Sequence, residues 1–293
     1  MKPAPFGHVR ASTLDQAVET LVAEDGDAKV LAGGQSLVPL LAMRLAQPTT
    51  LVDLGGLREL DYIRDEGDHV EIGAMTRSRA VETSPLVATA LPLLPAALRH
   101  VGHVTIRNRG TLGGSVAHAD PAAEAPSVLR ALDAEIIATG PGGRRTIAAA
   151  DFFQGFLFSA LEPDEILTAI RIPRQPAGTV VAVEEFARRH GDFALVAVLG
   201  AARLDPSGEI AEVRLSVAGA ANTPLRADAA ERLLTGQAPT PDVIAAAATA
   251  VAEATDPAAD IHAPAEYRRH LAAVLTRRCL HRLFAHAERS AAA

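Results

Sequence analysis

The feature that most limits what this chain can fold into is a pair of glycine-punctuated turns. AGGQSL spans 32–37 and RGTLGGSVAHADPAAE spans 109–124, and each sets adjacent glycines just before a stretch that can open a helix. Glycine there permits positive φ and lets bare backbone N–H groups approach an anion that a side chain would shield. In the first turn, Ala32, Gly33, Gly34, Gln35, Ser36 and Leu37 follow a short strand ending at Val30 and Leu31. Ser36 is placed to cap a helix through Leu40, Leu41 and Leu45. In the second, Gly110, Gly113 and Gly114 make a flexible loop around Leu112, with the hydroxyls of Thr111 and Ser115 able to donate to phosphate oxygens. Asp120 reads as a cap, Pro121 as the first helical residue and Glu124 as part of the first turn. Two such loops point to two grips on one diphosphate. Neither carries G-x-G-x-x-G nor a G-K-[ST] ending, which argues against a dinucleotide-fingerprint or P-loop fold.

The chain's 293 residues suffice for two domains with sizeable cores. Hydrophobic residues at 48% and charged residues at 22% fit a globular protein rather than a disordered one. A formal net charge of −7 offers no basic surplus for nucleic acid. No stretch approaches the ~20 apolar residues of a membrane span, and the opening MKPAPFGHVRAST lacks a signal-peptide core; the expectation is a cytoplasmic protein. Cys279 is the single cysteine, so the chain cannot by itself build a disulfide or a four-thiolate iron–sulfur site. His100, His103 and His118 lack helical zinc spacing and read as surface or structural residues.

Along the chain, Thr13 caps a helix through Leu14, Val18 and Leu21, and LVDL at 51–54 is a strand, which completes a βαβ-like unit. Asp53 reads as a strand-end residue rather than a ribose contact. HVEIGA at 69–74 alternates as a strand, Thr76 reads as a helix cap, and an apolar helix over 85–99 is interrupted by Pro92 and Pro95. EIIAT at 135–139 and GPGGRR at 140–145 make a hairpin. Asp151 is placed to cap the segment holding Phe152, Phe153, Phe156 and Phe158, which reads as core. LTAIRIP at 167–173 is a strand and PRQPAG a linker. Three β-rich runs at 179–186, 193–204 and 209–219, followed by helical patterns at 226–234, 241–254 and 266–287, predict a three-stranded antiparallel sheet backed by three helices.

AGGQSL, RNRGTLGGSVAHADPAAE, LEPDEILTAIRIP at 161–173, RRHGDFA at 188–194 and GAANTPLRA at 219–227 together resemble the FAD-binding medium subunit of the molybdenum hydroxylases. That family includes carbon monoxide dehydrogenase and the xanthine dehydrogenase and aldehyde oxidase relatives, and the resemblance covers essentially the whole chain. It implies an α+β fold. Residues 1–175 would form a vanillyl-alcohol-oxidase-like FAD-binding domain of two subdomains, about 1–55 and 56–175, with a smaller sheet-and-three-helix domain at 176–293.

The resemblance also implies the cofactor contacts. Ala32 to Leu37 and Thr111 to Ser115 would hold the FAD pyrophosphate, with Val30 and Leu31 leading in. Glu124 falls where the family commonly has an aspartate near the ribityl chain, and Leu167 and Val101 match residues beside the flavin and adenine portions. Phe193 is either an aromatic lid over the isoalloxazine or the first core residue of its strand. Relatives often carry lysine near 185, where this chain has Glu184 and Glu185. No catalytic acid, base or metal ligand is expected in this chain.

The implied protein binds FAD without a covalent link. It takes electrons from an iron–sulfur small subunit, with the molybdenum cofactor on a large subunit, and passes them to an external acceptor from a dimer of heterotrimers. A stand-alone FAD-dependent oxidase or reductase of the same fold, and a non-catalytic nucleotide-binding module, are the alternatives.

Overall fold

Three sheets, built one after another along the chain, position everything else. The structure, a computed structural model, describes residues 2–291. The first unit contains β1 (Gly7–Arg10), α1 (Leu14–Ala23), β2 (Ala28–Leu31), α2 (Leu37–Ala42) and β3 (Thr50–Asp53), with a parallel sheet ordered β1-β3-β2. Thr13 caps α1 by accepting from the Gln16 N–H at 3.2 Å, and Ala17, Val18 and Leu21 face the core. The sequence reading misses β1, because GHVR is short and polar; it pairs from Gly7 opposite Thr50 to Arg10 opposite Asp53. Ser36 makes no side-chain cap bond, since its own backbone is already helical at φ −102° and ψ −47°. α2 ends at Ala42, and Leu45 lies beyond it, exposed.

The second unit runs β4 (Ile63–Asp65), β5 (His69–Gly73), α3 (Ser78–Thr83), α4 (Pro85–Ala90), α5 (Leu93–Leu98), α6 (Val104–Arg109), α7 (Leu112–His118), α8 (Glu124–Ala131), β6 (Glu135–Gly140), β7 (Gly143–Ala148), α9 (Ala149–Phe152), β8 (Phe153–Gly155), β9 (Phe158–Ser159) and β10 (Ile166–Pro173). Its antiparallel sheet has the order β4-β5-β10-β6-β7. Central β10 is buried on both sides: Leu167 and Ile170 join the core with α5, α7 and α8, while Ile166 joins the core of the first unit.

Several local expectations in this unit are corrected. Thr76 does not cap α3, because its hydroxyl is tied to the Tyr62 backbone, accepting from N at 3.0 Å and donating to O at 2.9 Å. The apolar stretch at 85–99 divides into α4, capped by Ser84, and α5, with Pro92 between them. Asp151 lies inside α9, too late to cap it. Phe152 and Phe153 are buried edge-to-face at 5.1 Å, but Phe156 and Phe158 are 65% and 61% exposed on the β8–β9 hairpin.

The third unit has β11 (Val180–Phe186), β12 (Val196–Leu204), β13 (Ile210–Ala218), β14 (Leu225–Arg226), α10 (Asp228–Leu234), α11 (Pro241–Ala254) and α12 (Ala265–Ala291). Two-residue β14 makes the antiparallel sheet four-stranded, not three. Helices α10–α12 cover one face. The other packs on the second unit, where Val183, Ala197, Leu199 and Ala201 share a core with Leu94 and Val128. That double burial explains why FALVAVLGAARL reads as an unbroken apolar run. Asp133, just after α8, ties the units together by accepting from Arg214 Nη1 at 2.7 Å and from Arg226. No described helix is long and apolar enough to cross a membrane.

Candidate functional site

The glycine turn after β2 and the chain around α6 face each other across an open cleft of about 630 Å³, within the size range of small-molecule sites. Leu31, Ala32, Gly33, Gly34 and Gln35 line one wall, Ile106 and Arg109 the other, and Arg10, Asp53, Gly55 and Arg77 close the ends. The two glycine turns meet directly at Gly33. A Cβ there would stand 2.5 Å from Arg109 O and 2.7 Å from Gly110 Cα, so only glycine permits the approach. Gly34 follows at φ +72°, a left-handed conformation that glycine adopts without strain. Among the described residues, the N–H groups of Gly33, Gly34, Gln35, Ser36 and Leu37 have no hydrogen-bond acceptor. A run of unsatisfied amides beside three guanidiniums and one carboxylate is an anion cradle.

The second glycine turn works differently from its sequence reading. Gly113 and Gly114 lie inside α7 rather than in a loop, and Thr111 caps that helix by accepting from Gly114 N–H at 3.1 Å. The N–H groups of Leu112 and Gly113 are spent on Thr76 O and Ala74 O, each at 3.0 Å. Gly113 is required by packing, since a Cβ would sit 2.6 Å from Ala74 O; Gly114 lies against the Thr111 hydroxyl and Ala32. This turn is therefore a packed support beside the cleft, the amides of Leu112 to Ser115 being spent on protein acceptors, while those of the first turn are free. Ser115 stands half-buried on α7. Asp120 accepts from Ala122 N–H at 2.9 Å in a turn, and α8 opens at Glu124, not at Pro121.

The remaining candidates do not line the cleft. Val30 is on β2, and Leu167 is buried on β10 behind the second turn. Val101 is half-buried between α5 and α6, its carbonyl accepting from Arg107 Nη1 at 2.9 Å. Phe193 is 56% exposed, and β12 begins only at Val196, so it is not a core residue. Arg10, Arg77 and Arg109 are the charged cleft residues that the sequence does not single out, and Val38, Pro39, Gly55 and Ile106 complete the unforeseen lining. The two arginines flanking Asn108 beside Gly110 were a signal for Arg109; Arg10 depends on the unread β1.

Glu124 is almost wholly buried, and burial pushes its carboxyl up to about 8, with Glu185 and Asp120 adding like-charge repulsion. The folded chain keeps a proton that the unfolded carboxyl releases near 4.5. Stability of the protein without ligand is therefore expected to fall as pH rises through that window up to about 8. Glu124→Gln should flatten this decline in Tm, and an identical decline in wild type and variant would contradict the assignment.

The cleft, with its amide row and three guanidiniums, has the donor set of an anion site and lies between an α/β unit and an antiparallel α+β unit. The sequence profile described as "FAD binding domain in molybdopterin dehydrogenase" matches residues 4–175, and that described as "CO dehydrogenase flavoprotein C-terminal domain" matches 181–283. The nicotine 6-hydroxylase medium subunit of Paenarthrobacter nicotinovorans is 41% identical over 96% of this chain and 98% of its own. The carbon monoxide dehydrogenase medium chain of Afipia carboxidovorans is 40% identical over 98% of this chain and 100% of its own. Among solved structures, carbon monoxide dehydrogenase from Hydrogenophaga pseudoflava superposes with a TM-score of 0.94 at 38% identity, covering 97% of this chain and 99% of that one. Quinoline 2-oxidoreductase from Pseudomonas putida 86 does so with 0.93 at 36% identity, covering 98% and 99%. The chain belongs to the FAD-binding medium subunits of the molybdenum hydroxylases. It is an FAD-carrying electron-transfer subunit of an oxidoreductase whose molybdenum and iron–sulfur centres belong to other chains.

Proposed function

We propose that the cleft holds the FAD pyrophosphate on the free amides of Gly33 to Leu37, with Arg10, Arg77 and Arg109 balancing its charge. The carrying observation is that amide row, held open by the contact of Gly33 with Arg109 and Gly110. Thr111 to Ser115 stand behind the opposing wall, where Thr111 N approaches Gly33, with Thr111 Oγ1 accepting from Gly114 N–H and the Ser115 hydroxyl free to donate. Asp53, fixed by Gly55 N–H at 2.7 Å with His8 3.5 Å from its other oxygen, is placed to accept from a ribose hydroxyl at the cleft end. Val101, Glu124, Leu167 and Phe193 would meet the cofactor beyond this cleft, toward the third unit. The division into an FAD-binding unit through 175 and a C-terminal unit from 176 belongs to the same reading.

When bound, FAD supplies the ability to accept electrons singly and release them in pairs. The chain's own residues bind and orient it, and the packed second and third units keep water from its buried side. We read the assembly as a cytoplasmic dimer of heterotrimers in which an iron–sulfur chain feeds this one and an external acceptor drains it. Cys279, buried in α12, is remote in role from any cluster.

FAD is held without a covalent bond. Acid precipitation of the purified chain is expected to leave the flavin in the supernatant. Yellow colour retained in the washed pellet would overturn the noncovalent assignment.

A further inference from the structure

Glu185 lies where the third unit meets the second. It is near the end of β11, the edge strand of its sheet, while Glu184 turns to the opposite face and pairs with Arg282 of α12. The Glu185 side chain is only 9% exposed, and its Oε2 has no hydrogen-bond partner. The nearest cation-capable group is His100, whose Nδ1 stands 3.5 Å away and whose side chain is 37% exposed. From α8, the buried and protonated Glu124 also borders this region; Asp120 and Arg107 lie beyond it, the latter bound to Glu82 at 2.8 Å. His190, in the loop after β11, stacks on His103 at 5.7 Å. A buried carboxyl oxygen with no donor is costly and is not kept for stability.

The position of this cluster fits the cofactor. α7 starts at the glycine cleft and ends at His118, a rise of about 10 Å for its seven residues. The next turn carries Asp120 and Glu124. A flavin whose diphosphate lies in the cleft has its ring one ribityl chain away, which is a comparable span.

We propose that Glu185 and His100 hold and relay the proton taken up when the bound flavin is reduced, Glu185 as inner donor and His100 as its link to solvent. The proposal rests on the FAD assignment above. Two electrons enter the flavin from a reductant, the iron–sulfur chain in the assembly. The Glu185 O–H bond breaks and its proton forms an N–H bond on the ring. A solvent proton passed through His100 restores the Glu185 O–H. Burial raises Glu185 to about 7, while burial and then the charge of His190 lower His100, so near neutral pH the carboxyl rather than the imidazole holds the proton.

The test uses the full chain loaded with FAD, the rate of flavin reduction by dithionite followed from about pH 5 to about pH 9. Wild type is expected to show a break near neutral pH that Glu185→Gln loses while keeping its flavin. The same break in Glu185→Gln overturns the proposal. Should Glu185→Gln fail to hold FAD, His100→Gln decides: flavin reduction by dithionite should slow by roughly a hundredfold and recover when imidazole is added. A wild-type rate in His100→Gln, or a slow rate that imidazole does not rescue, overturns it equally. Wild-type protein without flavin would instead refute the FAD assignment.

Discussion

Gly33→Ala is expected to empty the flavin site while leaving the fold intact. The added methyl would meet one stretch of backbone, with Arg109 O at 2.5 Å, Gly110 Cα at 2.7 Å and Thr111 N at 3.0 Å, and backbone cannot swing aside as a flexible side chain can. The two walls of the cleft must part, which misaligns the amides that follow Gly33. Overpacking of this kind costs about 1–3 kcal/mol, enough to weaken binding by about tenfold or more. None of Gly33, Arg109, Gly110 and Thr111 belongs to a hydrophobic core cluster. Flavin absorbance per mole of purified variant should therefore collapse, with Tm of the flavin-free form changing by only a few degrees. Wild-type occupancy in Gly33→Ala would show that the contact between the turns is not what shapes the cradle.

The second large effect concerns the chain by itself. Its single cysteine is buried in α12, and the described residues include no group of three or more His, Cys, Asp or Glu side chains arranged to hold a metal. Nothing in the cleft can activate a substrate C–H bond: its ionisable residues are three arginines and Asp53. The FAD-loaded chain alone is expected to give no measurable oxidation of organic substrates, although chemically reduced flavin in it should be reoxidised by an acceptor. Supplying the iron–sulfur and molybdenum chains should make flavin reduction depend on substrate. Turnover of an organic substrate by the isolated chain would promote the stand-alone flavoenzyme reading.

Much of this was legible in the sequence because strong local patterns coincide with tertiary roles. The Thr13 cap and the alternation of HVEIGA specify their elements without outside help. The first glycine pair lines the cleft, whereas the second is set inside α7. Gly113 and Gly114 are glycines because Ala74, Ala32 and the Thr111 hydroxyl crowd them, and crowding by remote residues leaves no local mark. Ser36 and Thr76 failed as caps because tertiary neighbours and backbone geometry had already claimed them. β1 was illegible because a four-residue polar strand is defined only by its parallel partner β3, and Arg10 was missed with it. The contact between Glu185 and His100 joins residues 85 positions apart through the packing of β11 on α5, which no spacing rule anticipates.

The most direct test of the central claim is anaerobic mixing of the FAD-loaded chain with an iron–sulfur chain that has been reduced and freed of excess reductant, watching the visible flavin band. The band is expected to bleach with wild type as the cluster reoxidises, and no bleaching should be seen with flavin-depleted Gly33→Ala. A wild-type flavin that stays oxidised beside the reduced cluster, or a wild-type chain that carries no flavin, would contradict the account.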